Sequence, residues 1–441
     1  MSAYLIKIIL TAAMLYLITG STGVPPDANR KLHSLSFWMN RLKKPAEIKL
    51  SSAQRKLLNK RVYDMGLRVH PLYEGRYRSG KSVRNYLEKD LEWISHFKKY
   101  DRLNRRINGP ALLHKMKIRM DLKNIPVKIK NRFALVVKRT YLRAFPTTNM
   151  IMKKKNDLPF DLMQKSALDT GQELTLFHIS ADNQWGYVQA PFTTGWVKLK
   201  HLAWTYDKKK VASFVNSSNF IIATAPFTPV YKQKRYIRVH TLLRMGSRLP
   251  LVREGHYRYY VRIPVKHKKN KLKFKTAVLY KRDNVSAGYL PFTTANIADQ
   301  AFRMLGMPYS WGGQSFHTDC SSYIMRIFST VGLQLPRSSV NQVKFFGNHK
   351  IKINQKHGLD RLQPFLSLLY LDAPGHIMLY LGRYRDNYYV IHNKWSYHNK
   401  NNKKIPIKKI IVSDLQLGKG SRKGSLLTRI KRFGTIHPEL K

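Results

Sequence analysis

The sequence predicts a multidomain α+β protein: a helical N-terminal segment, two small β-barrels in succession, and a C-terminal α+β domain. Three observations predict it. Residues 24–130 place apolar residues at helical spacing between basic loops. Residues 131–293 break into short β-type runs separated by turn signals. From Thr294 onward the pattern is helix first, then antiparallel strands. A chain of 441 residues holds about three or four such units. Its 43% hydrophobic and 12% aromatic content excludes global disorder, although 81 Lys+Arg against 24 Asp+Glu gives a net charge of +57.

Residues 1–23 read as a signal peptide or N-terminal anchor. A short start with Lys7 precedes an apolar run from Ile8, and small residues Gly20, Ser21, Thr22 and Gly23 follow it. Export is therefore expected, to the periplasm or cell envelope, with membrane anchoring if the segment stays uncleaved. In the helical region, 24–130, the run 35–42 sets Leu35, Trp38 and Leu42 near one face. Ser51 or Ser52 caps a second helix through Leu57 and Leu58.

The first barrel, 131–206, is expected from runs at Phe133–Val137, Leu174–His178, Trp185–Gln189 and Gly195–Lys198, with turns at 181–183 and Pro191. The second, 207–293, follows from Phe220–Ala223, Thr228–Tyr231, Leu249–Arg253, Tyr259–Pro264 and Ala277–Tyr280. In the last domain, 294–441, a helix over Ala295–Leu305 ends at Gly306. A glycine-containing loop at 309–318 leads to a helix capped by Asp319 and ended by Gly332. Strands follow at 364–373, 376–384, 387–395 and 407–415.

The basic runs at 153–155, 208–210, 266–273 and 400–409 fall mostly between elements and read as solvated loop tips. Their sum attracts anionic envelope polymers or a membrane surface. No zinc-finger, RNA-recognition or helix-turn-helix spacing accompanies it, so specific nucleic-acid binding is not expected.

Cys320 is the one cysteine. It can form no internal disulfide and no cysteine-based zinc site, and no cofactor or metal is expected. Its place at the first turn of a helix is where the dipole lowers a thiol pKa and free N–H groups can hold an oxyanion. A thiolate nucleophile needs a base, usually His, oriented by a third polar group. Of sixteen histidines, His376 opens an alternating strand on the face of Met378 and Tyr380, and hairpin pairing can bring His392 beside it. His317 and His398 are lesser candidates.

These residues resemble the NlpC/P60 family of papain-like cysteine peptidases, which act on cell-wall peptides. The resemblance rests on YSWGGQSFHTDCSSYIMRIFSTVGLQLPRSSVNQ (309–342), GHIMLYLG (375–382) and VIHN (390–393). Upstream, FWMNRL (37–42), RAFPT (143–147), 180–204 and GYLPFTT (288–294) are similar to a subgroup with two SH3-like barrels before the peptidase. The resemblance implies Cys320 as nucleophile, His376 as general base and acid, and His392 as orienting residue. It also implies cleavage of γ-D-glutamyl-diaminopimelate or -lysine bonds in peptidoglycan stem peptides with a free N-terminal L-alanine. Asp319 and Ser321 would hold that amine, the aromatic pair Tyr309 and Trp311 would line the site, and an aromatic from the first barrel would close it, with Tyr187, Trp196 and Trp185 as candidates. Ser322 stands where many relatives have glycine. The alternatives are a non-catalytic wall-binding protein and an acyltransferase using the same thiol.

Overall fold

The computed structural model describes residues 30–69, 72, 77–232, 235–347, 349–350, 359 and 362–436. The segment read as signal or anchor, 1–23, lies outside the described residues. Among the described residues no helix is long and apolar enough to cross a membrane.

The N-terminal helices serve two different domains. Helix α1 (Leu35–Met39) buries Trp38, whose indole donates to the Leu32 carbonyl at 2.8 Å and whose ring lies 5.4 Å from Tyr389. Helix α2 (Ser52–Asp64) starts at a Ser51–Gln54 capping box and buries Leu58 and Val62. Arg55 and Asn59 on it donate to the carbonyls of Val331 and Gly332. All of these apolar residues share one core with the C-terminal domain. Helices α3 (Gly80–Ser95) and α4 (Gly109–Met120) pack elsewhere. Their Val83, Leu87, Leu91, Ile94, Met116 and Met120 join Phe177, Trp185, Tyr187 and Trp196 of the first barrel. The region also holds two short strand pairings, Ile48–Leu50 with Phe292–Thr293 and Tyr77–Ser79 with Lys128–Lys130.

The first barrel is a seven-stranded sheet. Its strands are β1 (Arg132–Val136), β2 (Thr140–Arg143), β3 (Gln164–Leu168), β4 (Glu173–Ile179), β5 (Trp185–Gln189), β6 (Thr194–Lys198) and β7 (Leu202–Thr205). They run in the order β7-β1-β4-β5-β6-β2-β3. A long excursion, 144–163, separates β2 from β3. Helix α5 (Lys208–Val215) leads to the second seven-stranded sheet. That sheet comprises β8 (Phe220–Ala223), β9 (Phe227–Lys232), β10 (Arg235–Arg244), β11 (Arg248–Glu254), β12 (Arg258–Lys266), β13 (Leu272–Tyr280) and β14 (Val285–Ala287). Its order is β10-β9-β13-β12-β11-β8-β14. β10 was not expected. It is an edge strand rich in arginine, and charge on an edge reads as loop in the sequence.

The C-terminal domain sets α6 (Thr294–Phe302), α7 (Cys320–Thr330) and α8 (Ser339–Phe345) against an antiparallel sheet. The sheet comprises β15 (Ser367–Leu371), β16 (His376–Tyr384), β17 (Asn387–His398), β18 (Lys404–Asp414) and β19 (Ile430–Thr435), with the short helix α9 (Leu426–Arg429) before β19. The order is β19-β15-β16-β17-β18, with residues 349–350 beside β19. Strand alternation divides the sheet into two faces. Ile377, Leu379, Leu381 and Ile391 pack with α7, while Met378, Tyr380 and Val390 pack with Leu426 and Ile430. Each such fully buried aliphatic chain contributes roughly 1.5–3 kcal/mol.

Candidate active site

The site forms where the start of α7 meets the starts of β16 and the second half of β17. Asp319 caps α7: its carboxylate accepts the Ser322 N–H at 2.8 Å, and Ser322 Oγ accepts the Asp319 N–H at 2.9 Å. Ser322, the departure noted above, thereby closes a reciprocal box that glycine could not form. A cap of this kind contributes about 1 kcal/mol. Gly332 ends the turn after α7 with φ +83°.

The loop before the cap is held from both sides. Gln164 of β3 donates to the Gly312 carbonyl at 3.0 Å, and Arg139 donates to that of Gly313. Arg244 of the second barrel donates to the His317 carbonyl at 3.3 Å, and Asn393 donates to that of Thr318 at 2.7 Å. Gly312 has φ +58°, and a Cβ there would lie 2.5 Å from Gln164 Cγ. Both the backbone and the barrel contact thus require glycine.

Cys320 is buried, at 8% exposure. Burial pushes its thiol up to about 11; Asp319 adds to the rise, while the Ile377 N–H, Arg337 and the Ser321 N–H oppose it. This corrects the expectation of an ionised resting sulfur. The helix dipole is present, but desolvation and an adjacent carboxylate outweigh roughly half a charge.

The histidines do converge. His376 Nε2 and His392 Nδ1 are 2.8 Å apart, and His392 Nε2 lies 3.1 Å from Ser413 Oγ on β18. His376 Nδ1 is the ring nitrogen that this pairing does not use. Burial holds both imidazoles well below their ordinary range, with Lys394 adding to the effect on each. Both rings are therefore neutral at pH 7. His317 is pushed down to about 4 by burial and then by Arg139 and Arg244, and belongs to the barrel contact. His398 closes β17 away from this pair.

Asp319 and Ser321 are already engaged. Arg337 reaches both Asp319 oxygens, at 3.2 and 2.5 Å, and donates to Ser321 Oγ at 2.8 Å and Ser166 Oγ at 2.9 Å. The Gly312 N–H and Ser321 Oγ–H fill the remaining acceptor positions. Burial alone would raise the Asp319 pKa, but Arg337 and Ser322 hold it below the usual value. The charge expected to meet a substrate ammonium is thus balanced by an arginine within the protein. Arg337 lies in the LPRSS run, but nothing in its spacing shows that it pairs with Asp319.

Tyr309 and Trp311 are joined by a third ring. Phe160, from the 144–163 excursion, lies 5.3 Å from Trp311, 6.4 Å from Tyr309 and 5.7 Å from Trp395; Tyr309 and Trp395 are 5.7 Å apart. Trp311 donates to the Asp161 carbonyl at 3.1 Å. The first-barrel aromatic at the site is Phe160. Tyr187, Trp185 and Trp196 instead lie in the core shared with α3 and α4. Among the described residues no cluster of His, Cys, Asp and Glu is placed to hold a metal.

A buried thiol at a helix start and two hydrogen-bonded imidazoles at a sheet end thus follow two seven-stranded barrels along the chain. The C-terminal domain is an NlpC/P60 domain: residues 306–410 match the sequence model of that family, and residues 150–198 match an SH3 domain of SH3b1 type. A γ-D-glutamyl-L-lysine dipeptidyl-peptidase from Bacillus cereus is 29% identical over 149 residues, 33% of this chain and 41% of that protein. The chain thus spans about two fifths of the length of that curated relative. An NlpC/P60 endopeptidase from Photobacterium damselae subsp. piscicida has the same fold, with a TM-score of 0.74 and 21% identity over 91% of this chain and 97% of that one. An NlpC/P60 family protein from Bacillus cereus superposes with a TM-score of 0.48 at 18% identity, covering 68% of this chain and 98% of its own.

Proposed function

We propose that this chain is an exported cysteine endopeptidase. It hydrolyses the bond between the D-glutamate γ-carbonyl and diaminopimelate or lysine in peptidoglycan stem peptides. The observation that carries the reading is the His376–His392–Ser413 relay at the sheet end where α7 begins with Cys320. The family match and the relative's name support the choice of bond.

In the first half-reaction, neutral His376 takes the Sγ proton as the sulfur attacks the γ-carbonyl. N–H groups at the first turn of α7 stabilise the oxyanion. The imidazolium then gives its proton to the departing amine, leaving a thioester. In the second, His376 takes a proton from water, hydroxide attacks the thioester, and the proton returns to sulfur. His392 fixes the ring of His376, and Ser413 that of His392.

Digestion of L-Ala-γ-D-Glu-meso-diaminopimelate read by mass spectrometry tests this. Cys320→Ala and His376→Ala should each lower turnover by about 10,000-fold or more. Retained cleavage in Cys320→Ala sinks the assignment. The preference for a free L-alanine amine rested on Asp319, which Arg337 neutralises; an N-acetylated peptide in the same assay decides it. Because the His376 pKa is lowered, its basic form persists into acid. The acid limb of kcat/KM should therefore lie below pH 6.5. Fractionation with intact mass of the mature chain tests export, and cosedimentation with sacculi tests wall binding.

A further inference from the structure

The site leaves one buried cation unused. Lys394 lies on β17 two residues after His392, so both side chains fall on one strand face. The β16–β17 register pairs Leu379 with Ile391 and Tyr380 with Val390. Carried back toward the start of β16, it sets His376 across from Lys394. Lys394 is 7% exposed. Among the described residues, no carboxylate or carbonyl is hydrogen-bonded to its ammonium.

A second cation stands beside it. Arg429, at the end of α9, donates to the Ala373 carbonyl at 2.9 Å, in the turn that leads into His376. Burial, then Arg429, pushes the Lys394 ammonium down to about 8, while Cys320 pulls it up. Lysine, arginine, thiol and imidazole therefore share one neighbourhood. The acids nearby are committed: Asp319 to Arg337, and Asp372 to Arg432 at 4.0 Å. A buried cation without a counter-charge is costly, and such groups cluster at binding sites.

The position relative to His376 says which part of a substrate meets this pair. His376 hands its proton to the departing amine, so groups flanking it face the residue that leaves. On the function proposed above, the acyl side falls to Asp319 and Ser321, which the resemblance places at the L-alanine end of the peptide. We propose that Lys394, with Arg429 beside it, receives a carboxylate of the departing residue, so that substrates with a free carboxylate on the diamino acid are favoured. This rests on the function proposed above. In a peptide that continues past this residue, lysine keeps no carboxylate and diaminopimelate keeps one, so the pair would favour diaminopimelate there.

The test compares kcat/KM for L-Ala-γ-D-Glu-meso-diaminopimelate and its diamide, in which both carboxylates of the departing residue are amides. The unmodified enzyme should prefer the acid by about 10-fold or more, chiefly through KM. Lys394→Gln should collapse the acid-to-diamide ratio toward one, and Lys394→Arg should restore part of it. Equal rates on both peptides in the unmodified enzyme overturn the proposal alone, as does a Lys394→Gln enzyme that loses both rates in proportion, which marks a structural role. If Lys394→Gln fails to fold, the unmodified enzyme and Lys394→Arg decide, because an unchanged ratio near one in both overturns it. No cleavage of either peptide sinks the parent reading, and this one with it.

Discussion

The two barrels have seven strands each, yet they meet the C-terminal domain in different ways. The first enters the site with side chains. Phe160 joins the aromatic wall, Gln164 holds Gly312, and Ser166 bonds Arg337. The second braces the site from behind: Met245 offers its carbonyl to Arg326 on α7 at 3.1 Å, and Gly246 sits against Ser329. The difference lies in connections. The 144–163 excursion of the first barrel supplies Phe160 and Asp161, and the second barrel meets α7 with a tight turn. One architecture thus adds a ring to the aromatic wall in one copy and buttresses α7 in the other.

Both barrels converge on Asp169, and the largest effect is expected there. This buried carboxylate pairs with Arg244 at 2.8 Å, with Arg326 of α7 and, at 3.9 Å, with Arg139. Burial would raise its pKa, but the arginines hold it far below the ordinary carboxylate value. Burial also pushes Arg139 and Arg326 down to about 10. Asp169→Asn leaves three arginines without their shared anion. Unfolding free energy by urea should fall by about 3–5 kcal/mol, because breaking a buried pair strands its partners. A loss under about 1 kcal/mol would show that the barrels do not depend on this joint.

The next test separates wall from buttress. Phe160→Ala should cut kcat/KM for the stem peptide by roughly 10-fold, since it removes three ring contacts. Tyr257→Ala, on an exposed turn of the second barrel, should change it by less than about twofold, as surface positions usually do. Equal losses would erase the distinction.

How these parts were legible follows the range of the interactions. The cap at Asp319, the end at Gly332 and the His376–His392 hairpin are local, and spacing alone pointed to them. Phe160, Trp395, Arg337 and Ser413 act through contacts distant in sequence, which periodicity does not encode. Phe160 lies about 150 residues from Trp311. The misplaced aromatics make the same point. Tyr187, Trp185 and Trp196 lie in strands, where a large ring is buried against α3 and α4, so the ring that reaches the site comes from a loop. The division of the helical region was not legible either, because which core α1–α2 and α3–α4 join is set by contacts distant in sequence. The thiol pKa departs from its helix-start expectation because sequence shows the helix start but not the depth of burial.

The smallest effect concerns charge. A cleft of about 2110 Å³ between α4 and the barrels is lined by Lys138, Lys198 and Lys200 of the first barrel and by Lys232 and Arg238 of the second. Its acids, Asp101 and Asp161, are paired with Arg105 and Arg143. If envelope polyanions settle there, two imidazoles in its lining report it. His201 is pushed down to about 4 by burial and then by Lys200, Lys138 and Lys198; His240 is lowered by burial, Lys232 and Lys275. An anion favours the imidazolium, so inorganic polyphosphate should raise the His201 midpoint in an NMR titration by up to about one unit, and that of His240 by less. High salt should abolish the shift. Polyphosphate bound with both midpoints unmoved would place the anion elsewhere, and a larger shift at His240 would transfer the binding role to the second barrel.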